Sequence, residues 1–218
     1  MSIIKGLKDI NAILDKPKYE GTGSKVRWLK LADGQAVKIR FIEELDEDSP
    51  SYADERGLAL VVKEHTNPKD YRRKAVDTMD VDGRDWAEEM HRKDPKAGWR
   101  ARMRFYCNVL VDDGLEAPYV AIWSMGVSKQ SSFNTIREYA IETGSISNLT
   151  WKLKRNGQGT ETSYTLIPSV PDKEPYEWTD IRPFPLESAL NKVPYAEQEA
   201  YYLGFDTPSG GSSSSMDW

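Results

Sequence analysis

Three short stretches of this chain set arginine or lysine beside aromatic rings: YRRK at 71–74, WRARMRFY at 99–106 and WKLKR at 151–155. Guanidinium and ammonium groups neutralise phosphate oxygens and displace their counterions, while flat side chains give unstacked bases a surface to lie on. Arg72, Arg73, Lys74, Arg100, Arg102, Arg104, Lys152, Lys154 and Arg155 are therefore candidates to line a groove for a polyanion. Trp99, Tyr106, Trp123 and Tyr164 are the candidate stacking platforms. Residues two apart in a strand share a face, so Arg100, Arg102, Arg104 and Tyr106 point one way and Ala101, Met103, Phe105 and Cys107 point to the core. Trp28 and Trp151 alternate with apolar neighbours and read as core.

The 218 residues carry 30 Lys and Arg against 35 Asp and Glu, a formal net charge of -5. Net acidity does not exclude a polyanionic partner, because binding follows the local potential and the charges here are segregated. EELDED at 43–48 and DTMDVDGRDWAEEM at 77–90 gather the acids and read as solvated faces, apart from the basic clusters. A single cysteine excludes an internal disulfide framework and fits a reducing compartment. No apolar run has the length of a membrane span, and the start, MSIIKGLKDI, lacks the layout of a secretory signal, so the expected location is the cytoplasm.

Bond-making chemistry is poorly represented. The chain has no GxxxxGK[ST] phosphate loop, HExxH, GxSxG or clustered Cys/His set, and no catalytic residue or cofactor is expected. The enzyme alternative is a metal-dependent nuclease holding magnesium with Glu43, Asp46, Asp80 or Asp82. A further alternative is a structural or adaptor module that binds no nucleic acid. TMDVDGRDWAEE places Asp80, Asp82, Gly83 and Glu89 at calcium-loop positions, but Thr78 stands first and Asp85 eighth, so a solvated acidic turn is expected. His65 and His91 read as satisfied histidines rather than ligands.

The elements that must position these residues are mostly strands. VRWLKLADGQAVKIRFI reads as a hairpin about Ala32, Asp33 and Gly34, with Val37, Ile39 and Phe41 inward and Lys38 and Arg40 outward. GLALVVKE is a strand with Leu58, Leu60 and Val62 inside, and residues 65–98 are a polar insertion held by Trp86 and Trp99. A long strand from Arg100 to Val111 turns at Asp112, Asp113 and Gly114 into APYVAIWSM, with Val120 and Ile122 as the core pair. Phe133, Ile136, Tyr139 and Ala140 form a helical stripe stopped by Gly144, and LTWKLKR and TSYTLIP close the domain as a hairpin. The expectation is a mainly β chain with some α: an OB-fold-type five-stranded barrel with an inserted subdomain after the third predicted strand run and flexible termini. Residues 1–20 read as an arm with a self-association or docking helix, 21–205 as the core and 206–218 as a flexible tail.

The blocks HTNPKDYRRKAVDTMDVDGRDW, GWRARMRFYCNVLVDDG, WKLKRNGQGTETSYTLIP and VPYAEQEAYYLGF, in this order, resemble the replicative single-stranded DNA-binding, helix-destabilising proteins of tailed phages. The resemblance spans roughly residues 25–205. It implies an OB-fold core that coats single-stranded DNA without sequence preference in replication, recombination and repair, in the host cytoplasm if the chain is phage-encoded. It also implies homotypic cooperative contacts, which the N-terminal arm would make, and recruitment of replication or recombination proteins by the tail. DTPSGGSSSSMDW is a Ser/Gly tether whose tip, Asp217 and Trp218, would bind those partners. Some members of that family hold zinc in the insertion with one His and three Cys. Here His65 takes the histidine's place, no cysteine lies between it and Cys107, and Asp77, Trp86 and Met90 stand where sulfur would be wanted, so no metal is expected.

Overall fold

A computed structural model describes residues 26–115, 117–170, 177–178 and 181–205. The arm expected at 1–20 and the tail at 206–218, with Asp217 and Trp218, lie outside the described residues. The strands β1 (Ala36–Phe41), β2 (Leu60–Thr66), β3 (Lys74–Val76), β4 (Arg102–Asp112), β5 (Tyr119–Gly126), β6 (Trp151–Asn156) and β7 (Ser163–Pro168) join in one seven-stranded sheet. Its helices are α1 (Met79–Asp82), α2 (Trp86–Lys93), α3 (Phe133–Thr143), α4 (Leu186–Ala189) and α5 (Tyr195–Leu203). All the strand pairs are antiparallel, and the sheet is unclosed: its path runs β3-β2-β4-β1-β6-β7, with β5 on the other side of β4. No helix among the described residues is long and apolar enough to cross a membrane.

The long strand β4 organises the rest. One edge pairs with β5 from Arg104 to Val111, while the other is shared, with β2 beside its first half and β1 beside its second. Between the last partner of β2, Tyr106, and the first of β1, Val109, the ladder is interrupted. There the buried Glu43 carboxylate accepts from Asn108 N at 2.7 Å, so a side chain supplies the acceptor that a strand would have given.

The main core lies on one face of the sheet. Val37, Ile39, Phe41, Phe105, Cys107, Val109, Trp123, Trp151 and Leu153 pack there against Ile136 of α3 and against Ile146 and Leu149. α3 ends as the sequence predicts, with Gly144 in the left-handed region at φ 79° and its N–H bonded to Ala140 O. The opposite face is also covered: Tyr106, Ile122 and Leu186 form a second cluster with Trp28, Leu60, Val62 and Phe184. A third cluster ties the segment between β2 and β4 to α5 through Trp86, Ala87, Ala75, Val193 and Tyr202. Trp86 and Trp99 do meet, edge to face at 5.2 Å, and Tyr202 stacks on Trp86 at 5.8 Å.

Two local expectations are corrected. Residues 26–31 do not pair with β1 as a hairpin; Trp28 bridges Ile122 in parallel, with Leu29 N donating to Ile122 O at 2.8 Å. A turn at 32–34 redirects the chain without dictating which strand receives it. In β5 the parity is reversed: Ala121 and Trp123 face the main core, while Ile122 faces the second cluster. Alternation reveals that two faces differ, but not which one is wet when both are covered.

Candidate functional site

Strand register places the candidate cations. Glu64 lies opposite Arg102, Thr66 opposite Lys74, Lys38 opposite both Asp112 and Lys152, and Ala36 opposite Lys154. Partners across an antiparallel pair share a face, so Lys74, Arg102, Arg104, Lys38, Lys152 and Lys154 all belong to the face of Tyr106. The second cluster separates them into two groups. Lys74, Arg102 and Arg104 stand at the β3-β2-β4 end, and Lys38, Lys152 and Lys154 are exposed at the β1-β6 end.

The first group is built around a buried acid. Glu64 is only 4% exposed; its Oε1 accepts from the Tyr106 hydroxyl at 2.5 Å. Its Oε2 lies 4.0 Å from Lys74 Nζ and 3.7 Å from Arg104 Nε, too far for a hydrogen bond to either, and both Oε2 and Arg104 Nε are buried without a hydrogen-bond partner. Arg104 Nη2 donates instead to Ser124 Oγ at 2.9 Å, and Lys74 Nζ to the Tyr106 hydroxyl at 3.4 Å. Burial pushes the Lys74 ammonium below its ordinary range, although Glu64 acts in the opposite direction. Burial and the charge of Glu64 raise the Tyr106 phenol, which keeps it a donor. Arg100 and Arg102 are exposed and make no ion pair among the described residues.

Other predicted members are elsewhere. Arg155 has the opposite parity, beside Tyr164, and its guanidinium donates to Leu31 O at 2.6 Å and Thr162 Oγ1 at 3.1 Å. Arg73 donates to Tyr201 O at 2.6 Å and lies 3.5 Å from Asp70, so it fastens α5. Arg72 is exposed but pairs with Asp70 at 3.0 Å.

The rings are the larger correction. Trp123 and Tyr106 are 1% and 2% exposed, and neither has a face to offer. Trp123 is enclosed by Phe41, Phe105 and Tyr164, and Tyr106 is crossed by Trp28 at 6.1 Å. Trp99 is half-buried between Trp86 and Tyr202, and Tyr164 half-buried edge-on to Trp123. Aromatic side chains bury large apolar areas, and with both faces of the sheet covered the packing claims Tyr106 and Trp123.

The acids divide equally clearly. Glu43 is buried beneath Cys107 and Asn108 rather than gathered with Asp46, Asp80 or Asp82. Asp80 and Asp82 are exposed on α1, and Glu89 is paired with Arg84 at 3.0 Å, so the calcium-loop residues do not converge.

His65 is fully buried; its Nδ1 lies 2.6 Å from Trp99 O, and its Nε2 lies 3.0 Å from Asp77 Oδ2, 3.5 Å from Asp85 Oδ1 and 4.0 Å from Glu88 Oε2. Asp77 occupies a predicted place, while Trp86 and Met90 turn into the aromatic cluster, leaving Asp85 and Glu88 as the neighbours the sequence reading missed. The set does not fit the thiolate zinc site that the resemblance implies. It has no sulfur, and its oxygens already serve protein donors: Lys63 Nζ lies 2.8 Å from Asp77 Oδ2, and Asp85 caps α2 at Glu88 N and accepts from Thr78 N and Gln198 Nε2. Burial pushes the Asp77 carboxyl up, but Lys63, Met79 N–H and His65 outweigh it and hold the group below its ordinary value.

Neither a protein-family model nor a curated protein matches the chain.

Proposed function

We propose that this protein binds single-stranded DNA without sequence preference, chiefly through its phosphates, and coats it during replication, recombination and repair. The observation that carries the reading is the register that sets Lys74, Arg102 and Arg104 on one sheet face, with Lys38, Lys152 and Lys154 farther along it. The sheet is read as an opened OB-type core: β1 joins the hairpins β4-β5 and β6-β7, and α3 stands between them. Burial of Tyr106 and Trp123, two of the four candidate platforms, makes the reading more electrostatic than the sequence alone implied, so salt dependence is its signature.

The test is fluorescence anisotropy of labelled oligo-dT and of a matched duplex, titrated at rising salt with and without magnesium. The reading expects intact, retarded single strands and a log-log salt slope that shallows by about 0.7 in Arg102→Ala. Cleavage with magnesium supports the nuclease alternative instead. Absence of binding at low salt supports the adaptor alternative.

A further inference from the structure

We propose that Lys74, Arg102 and Arg104 form the primary phosphate subsite, and that the recessed Glu64 is its built-in counter-ion. The inference rests on the reading of the protein as a single-strand binder and specifies where and how tightly the strand is held. Lys74 and Arg104 flank one carboxylate, with Arg102 opposite it in the β2-β4 register, and that carboxylate is 4% exposed and held in place by the Tyr106 hydroxyl. It is close enough to attract Lys74 and Arg104 but hydrogen-bonds neither; Arg104 Nε is enclosed, while the Arg104 side chain as a whole is one-third exposed beside the exposed Arg102, so a phosphate meets the outer edge of the guanidinium. A phosphodiester has several acceptor oxygens and matches such donors better than one recessed carboxylate oxygen. Glu64 thus keeps two partly buried cations compatible with folding and lowers the field that an incoming phosphate meets.

Glu64→Gln keeps an oxygen for Tyr106 and removes the counter-charge. The expected result is tighter binding, and Lys74→Met must act with the opposite sign. Loss of one phosphate-contacting cation shallows the single-strand salt slope by about 0.7, which is roughly fivefold in affinity near 0.1 M salt, whereas the Glu64 change is read by its sign. Anisotropy with oligo-dT, run alongside thermal melts of each variant, reads both numbers. Tighter binding for Glu64→Gln, with roughly fivefold weaker binding and a shallower slope for Lys74→Met, supports the subsite. A merely structural Glu64 weakens binding when replaced, and that result, or unchanged slopes in both variants, overturns it. If Glu64→Gln does not fold, the slope of Lys74→Met decides alone, and an unchanged slope overturns the proposal. Failure of the wild-type chain to bind at all defeats the single-strand reading itself, which is a different outcome from wild-type binding with unaltered variants.

Discussion

Glu43 carries the sharpest prediction about the scaffold. It fills the break in the β4 ladder, accepting from Cys107 Sγ at 3.0 Å, Asn108 N at 2.7 Å and Asn108 Nδ2 at 2.5 Å. Asn108 in turn holds the segment before α4, with Phe184 N donating to Asn108 Oδ1 at 3.0 Å and Asn108 Nδ2 donating to Phe184 O at 2.8 Å. Burial raises the Glu43 carboxyl from 4.5 to about 7, against the pull of those donors. The folded chain therefore binds this proton more tightly than the unfolded chain. The stabilisation is fully present below 4.5, is lost as pH rises through about 7, and changes no further above that. At about 1.4 kcal/mol per pH unit the loss is about 3 kcal/mol. Glu43→Gln imitates the neutral form and removes the titration. Urea denaturation of both proteins from pH 4.5 to pH 8 measures it. The stability of wild type relative to the variant is expected to fall by about 3 kcal/mol across the interval and then level off. Parallel stability curves at every pH would refute the assignment.

Further outcomes follow from the same packing. Trp123→Ala should cost about 3–5 kcal/mol in urea denaturation while leaving the salt slope of the folded fraction unchanged, because the ring is core rather than platform. Gln198→Leu removes the amide that accepts from Trp86 N and donates to Thr78 Oγ1, Asp85 Oδ2 and Val193 O; a loss of about 2 kcal/mol, with faster proteolysis between β3 and β4, is expected. Arg155→Met should lower the melting midpoint through the lost bonds to Leu31 and Thr162, yet leave the salt slope of DNA binding unchanged. Because Lys63 and backbone donors already occupy the carboxylates around His65, EDTA should leave the thermal midpoint unchanged; a chelator-induced drop contradicts that view of the cluster.

The sequence was most informative where a pattern had a single physical cause. The α3 stripe and its Gly144 stop, the Asp112–Gly114 turn and the β6-β7 hairpin all follow from periodicity and turn chemistry. Lys152 and Lys154 were legible as an exposed pair because Trp151 and Leu153 alternate with them. Arg155 was misplaced by adjacency, since one residue of register turns it to the other face. Tyr106 and Trp123 were illegible as core because their cover comes from distant segments, Trp28 and Phe184 for one and Phe41 and Tyr164 for the other. Glu64 gave no local sign at all: nothing in GLALVVKE marks its glutamate as the partner of cations on β3 and β4.

Photo-crosslinking with a 4-thiothymidine oligonucleotide, mapped by mass spectrometry, locates the bound strand on the protein. A strand held on the basic sheet face is predicted to crosslink within 66–74, 100–106 and 151–155. Crosslinks confined to α3 or to the acidic loop at 43–48 would mean that the basic sheet face does not hold the strand.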